Sequence, residues 1–118
     1  MYKSKDDLPF IMDQPGVKNQ LITWGEMNIS RMQLAQGVDF TPLLKGLPDD
    51  LCQCPHWGYV LKGAIRIRYT DNREEVIKAG QLFYLPPGHT AWVEEDIDLI
   101  EFSPSEAHDM VLQHISGQ

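Results

Sequence analysis

From residue 52 to residue 102 the chain is cut into short β-forming runs by turn residues at near-regular intervals. "HWGYVLKGAIRIRY" is followed by "TDNRE", which reads as a hairpin turn, and then by "EVIK", "AG", "QLFYL" and "PPGH". "TAWVEE", a turn near Asp96 and "IDLIEF" complete the series. Val, Ile, Tyr, Phe and Trp suit a pleated, half-buried surface, whereas Gly, Pro, Asn and Asp end it. Five short strands with turn signals about every eight to twelve residues predict an all-β sandwich or barrel.

The flanks read differently. The first twenty or so residues carry Pro9, a Pro-Gly pair at 15–16 and mixed charges, and are expected to form an N-terminal arm with one short strand. "WGEMNISRMQLAQG" alternates imperfectly, nearer to a strand than to an amphipathic helix. "DFTPLLKGLPDD" holds Pro42, Gly46 and Pro48 and reads as loop. At the end, "SPSEAHDMVLQHI" predicts a short C-terminal helix over about 104–115. Ser103 is its cap, Pro104 its first residue, and Glu106 the far member of a capping box. Ala107, Met110, Val111 and Ile115 form its apolar face, which would cover the open end of the sandwich or a sheet edge. His108 and His114 fall off that face and read as solvated.

A chain of 118 residues is expected to be one domain, 1–118. The net charge of −7, with scattered basic residues, argues against a nucleic-acid surface, which draws its affinity from clustered Lys and Arg. No apolar run approaches a membrane span, and "MYKSKDDLPF" lacks the apolar core of a secretory signal, so a cytoplasmic location is expected. Thiols stay reduced there, and a disulfide between cysteines two apart on a strand would be strained.

Those cysteines belong to "CQCPHWGYVLKG", residues 52–63. On a strand Cys52, Cys54 and His56 share one face, and His89 follows the double proline of "LPPGH" at the start of a later strand. Thiolate and imidazole together suit a borderline-soft ion such as zinc. The spacing is not that of a zinc finger, and a buried cysteine is also a small hydrophobe, so core packing stands beside metal binding as a reading. A redox pair ranks last, because no basic residue adjoins either cysteine to lower its pKa. Arg66 and Arg68 alternate with Ile65 and Ile67, as on a polar outer face.

Taken together, "YVLKG" and "AGQLFYLPPGH" resemble the two sequence blocks of the cupins, small double-stranded β-helix (jelly-roll) barrels. Gly80, Pro86 and Gly88 match the second block and Gly63 closes the first, so the resemblance covers about residues 50–102. The family's usual metal ligands do not match: its glutamate falls on His56, its first-block histidines on Asp50 and Cys52, and its second-block histidine on Ala91. A narrower group of short cupins, largely without assigned function, is similar in having C-Q-x-x-H-x-G-Y-V-L and P-P-G-H. That likeness implies convergence of Cys52, His56 and His89 in the barrel, with Cys54 as an additional candidate ligand. Zinc is the implied ion, with iron(II) or nickel as alternatives. With three ligands the site is open to a small molecule; with Cys54 it is closed.

Two functions follow from that resemblance: a metallocupin binding or acting on a small polar molecule, and a non-catalytic module that senses a ligand or carries a structural ion. No general base announces itself; Glu101 and Tyr84 are the residues weighed as facing the cavity. Trp57, Tyr59 and Leu61, on the face opposite His56, form an apolar stripe expected to be buried in a homodimer.

Overall fold

The computed structural model describes all 118 residues. Seven strands run β1 (Phe10–Gln14), β2 (Val17–Trp24), β3 (Met27–Leu34), β4 (His56–Tyr69), β5 (Glu74–Lys78), β6 (Leu82–Leu85) and β7 (His89–Pro104), followed by helix α1 (Ser105–Ser116). All neighbours are antiparallel in the order β1-β2-β3-β7-β4-β5, with β6 also paired to β4. No helix is long and apolar enough to cross a membrane.

Two long strands build the barrel by changing partners along their length. The first half of β4 pairs with β6 and its second half with β5, while β7 runs beside β4 throughout and β3 beside the end of β7. The bend lies at residues 60–65, where the β4–β7 register shifts three times. Before it His56 and Val60 point inward; after it Ile65, Ile67 and Tyr69 do. A bulge that adds a residue reverses the alternation of a strand, so this bend swings one strand between two walls of the barrel. The core inside those walls includes Val60, Ile65, Ile67, Ile77, Phe83, Leu85, Val93, Ile97 and Leu99.

Three expectations are corrected here. Residues 10–24 are two strands with the Pro-Gly pair as their hairpin turn, leaving only the first nine residues as an arm. That arm is fastened by Gln20, whose Nε2 donates to the carbonyls of Asp6 and Leu8 at 3.1 and 2.9 Å. The turn expected near Asp96 is no turn: β7 is continuous through it, and its polar residues face out at the bulge. Lastly, α1 has no side-chain cap, because the Ser103 hydroxyl points into the barrel instead.

Between β3 and β4, two short 3-10 turns (Thr41–Leu44 and Pro48–Asp50) cross the barrel mouth. This segment is tied to β7 by backbone pairs from Val38 to Val93, Phe40 to Ala91 and Cys52 to His89. Leu44, Cys52, Cys54 and Val111 of α1 form a second apolar cluster above the main core. Ala107, Val111 and Ile115 of the helix pack on this cluster, whereas Met110, expected on the same face, is exposed.

Candidate metal centre

Beneath that closure the structure brings Cys52, His56 and His89 together. Their ligand-type atoms all lie within 4.8 Å of one another, and each residue is less than a tenth exposed. Local structure explains the meeting. Cys52 precedes β4 and is bridged through its backbone to His89 at the start of β7, 37 positions on in sequence. His56 opens β4 with its side chain inward, and its ring meets that of His89 edge-on with centroids 5.2 Å apart. Cys52 Sγ lies 3.6 Å from His56 Nε2.

Each imidazole is oriented by its other nitrogen. His89 Nδ1 is 2.7 Å from the carbonyl oxygen of Pro86, which can only accept, so Nδ1 carries the proton and Nε2 keeps its lone pair. His56 Nδ1 is 2.6 Å from Ser103 Oγ, a hydroxyl that can accept or donate; when Nδ1 donates, the Nε2 lone pair faces the Cys52 sulfur. A fixed tautomer with the second nitrogen engaged is how metal-binding histidines are held. Burial lowers the pKa of both rings to about 4, so each is neutral and ready to ligate at neutral pH. Burial raises the Cys52 thiol to about 11. Ion entry would therefore displace one proton, from sulfur alone. The donor set, two imidazole nitrogens and a sulfur on buried residues, fits a borderline-soft divalent ion.

Cys54 stands apart from this triad. It is 1% exposed and packs with Leu44 and Val111, its Sγ 3.3 Å from the carbonyl of Pro55, and the cluster of close donor atoms does not include it. Burial holds its thiol protonated, at about 12. Neither cysteine is in a disulfide, and neither has the lowered pKa of a reactive thiol.

Around the triad lie groups that sequence reasoning placed elsewhere. His108, expected at the surface, is 6% exposed, its ring edge-on to His56 with centroids 5.6 Å apart. It sits three positions before buried Val111 on the same helix face, a spacing visible in the sequence. His114 is not free in solvent either; its Nε2 meets the carbonyl of Lys45 at 2.8 Å. Glu101 is buried, with one carboxylate oxygen 3.6 Å from His56 Nδ1, and burial raises its pKa. Ser103 and Glu101 share the parity of Ile97 and Leu99, which marks them as inward. Tyr84 points the other way, half exposed and stacked on Trp57. Arg66 lies on the outer face paired with Glu94 and Glu74.

Two open surface hollows, one lined by Gln36, Lys62 and Glu95 and another by Tyr69, Arg73 and Pro87, do not include the triad.

No protein-family model matches the sequence, and no curated protein matches it. Solved structures do. KdgF from Halomonas sp. superposes with a TM-score of 0.66 at 18% identity, over 93% of this chain and 99% of that one. An RmlC-like cupin from Shewanella frigidimarina gives 0.65 at 17% identity, over 92% and 94%. Oxalate decarboxylase from Bacillus subtilis gives 0.61 at 17% identity over 86% of this chain, which spans only 28% of that enzyme. The barrel these proteins share is the cupin fold, and this chain has it.

Proposed function

We propose that this protein is a small metallocupin whose ion is held by the Cys52 thiolate and the Nε2 atoms of His56 and His89. The observation that carries the reading is the convergence of three buried donors, with the second nitrogen of each histidine already engaged. A thiolate with two imidazoles suits tetrahedral zinc, with iron(II) or nickel(II) as the alternatives. Three protein ligands leave a position for a small polar molecule, toward which a bound ion would supply Lewis acidity. The chain's own part is to orient the ligand atoms through Ser103 and Pro86 and to keep water out through α1. Free, buried thiols suit a reducing compartment, and we assign the protein to the cytoplasm.

Cobalt(II) titration tests this reading. The expected product is a one-to-one complex with an intense near-ultraviolet thiolate-to-cobalt band, absent from Cys52→Ser. Cobalt bound without that band would refute sulfur ligation. A second reading, a non-catalytic cupin with a structural ion, is favoured by the enclosure of the triad, and the cobalt protein separates the two. An open position is expected to show spectral change with added azide, and a closed one none.

The outer face supports a homodimer. Trp57, Tyr84 and Phe102 are cross-strand neighbours on β4, β6 and β7, each at least 41% exposed, and Tyr59 pairs with Leu82, which is 82% exposed. The N-terminal strands leave this patch uncovered. A contiguous aromatic patch on a small soluble chain marks an interface, and a two-fold axis would bury it against itself. Sedimentation is expected to give twice the chain mass of 13.5 kDa, and Trp57→Glu to give monomer. A monomeric wild type would end this proposal.

A further inference from the structure

Two buried side-chain polar atoms have no hydrogen-bond partner within the protein, Asn19 Oδ1 and Ser30 Oγ. Ser30 is the deeper of the two, 1% exposed, whereas Asn19 is half-buried. A hydroxyl buried to that degree without a partner is rare in a folded protein, and it calls for one from outside the chain.

Register fixes where this hydroxyl points. On β3, Ser30 shares its face with Leu34 of the main core, so it is turned into the barrel. Directly opposite it on β7 is Glu101, and opposite Glu101 on β4 is Gly58. The Phe83 ring fills the space that a side chain at residue 58 would need, so the row ends in an aromatic wall. Glu101 thus stands between Ser30 on one neighbouring strand and His56 on the other. One of its carboxyl oxygens is 3.6 Å from His56 Nδ1. The unmet hydroxyl is therefore one residue away from the Cys52–His56–His89 cluster, and a buried carboxyl separates the two.

Together the hydroxyl and the carboxyl make a two-point site. Ser30 Oγ can donate or accept, and the Glu101 oxygens can accept. A hydroxyl group serves both, accepting from Ser30 and donating to Glu101. A carboxylate has no proton to give Glu101. We propose that Ser30 and Glu101 form a hydroxyl-binding subsite beside the Cys52–His56–His89 centre, filled by one water or by the hydroxyl of a small neutral molecule. The inference rests on the metallocupin reading above and names the class of its polar molecule: an alcohol and not an acid.

A crystal structure of the zinc-loaded protein is expected to show an oxygen within hydrogen-bond reach of both Ser30 Oγ and the Glu101 carboxyl. An empty site would overturn the inference. Methanol and sodium formate are then titrated separately into the zinc-loaded protein and followed by the amide 1H–15N shifts of Ser30 and Glu101. Methanol is expected to move both to saturation and to bind more tightly than formate. Ser30→Ala, read at the Glu101 amide, should weaken methanol about two- to tenfold, the range for one neutral hydrogen bond. Zinc content should be unchanged in that variant. A site that holds water but gives no saturable response to methanol would be a structural water only and would overturn the subsite. Tighter binding of formate, or equal methanol affinity in wild type and Ser30→Ala, would overturn it as well. Each of these outcomes leaves the metal site standing, whereas a wild type that takes up no zinc would remove the metal reading and this inference with it.

Discussion

Gly63→Ala is expected to cost about 3–6 kcal/mol, enough to unfold much of a domain whose total stability is about 5–15 kcal/mol. Gly63 sits at the β4 bend with φ of +85°, and a Cβ there would collide with the backbone carbonyl of Asp96, where β7 crosses. Neither backbone can move without undoing the bulge that turns the strand from one wall to the next. Gly80 supplies the control. Its φ is nearly the same, +86°, but a Cβ would meet nothing within 4 Å, so Gly80→Ala should lose only about 1 kcal/mol. Urea unfolding of the two variants separates conformational strain from contact. Equal losses would mean that the close approach of β4 and β7 is not what fixes Gly63.

Acid is expected to destabilise the metal-free protein well before its ordinary carboxylates titrate. His56 and His89 are held neutral by burial, with pKa values near 4 against about 6.5 for an unfolded chain. Burial lowers His108 in the same direction. As pH falls below 6.5 the unfolded state takes up protons that the folded state refuses, so stability present above pH 6.5 is lost on the way toward 4. Glu101 works against this. Its raised pKa lets the folded state keep a proton that the unfolded state releases as pH rises. Two or three histidines outweigh one carboxyl, leaving at least one net proton bound on unfolding. The expected slope is about 1.4 kcal/mol per pH unit for each such proton. Urea midpoints of metal-free protein from pH 7.5 to 5 would show it, and His56→Gln should make the slope shallower. A flat profile would mean that the histidines are not buried neutral.

How far the sequence could be read depends on which side chains carry the signal. The half from His56 to Phe102 is legible because its inward positions are aliphatic and its bends are marked by glycine and proline. The strand Val17–Trp24 escaped notice because its most buried residue is Gln20, a polar side chain turned inward to hold the arm. Asp96 reads as a turn since bulges use the same polar residues as turns, and only pairing with β4 keeps the strand continuous. Strand parity groups Cys52, Cys54 and His56, and it is the resemblance to the cupin blocks that adds His89 and implies the convergence of Cys52, His56 and His89. Their surroundings were missed for a different reason. Ser103 fits a helix-cap pattern, and His108 reads as a solvated polar residue although its spacing from Val111 places it on the buried face of α1. Cys54 shares parity with Cys52 in the sequence, but the chain before His56 is not regular strand, so parity did not carry over.

The central claim is that Cys52, His56 and His89 hold an ion and Cys54 does not. Metal content of freshly purified protein by elemental mass spectrometry tests it most directly, with Cys52→Ala and Cys54→Ala measured alongside. The account predicts close to one divalent ion per chain in the wild type and in Cys54→Ala, and almost none in Cys52→Ala. A wild type that stays empty after reconstitution with zinc, iron(II) or nickel(II), or a Cys52→Ala variant that keeps its ion, would contradict it.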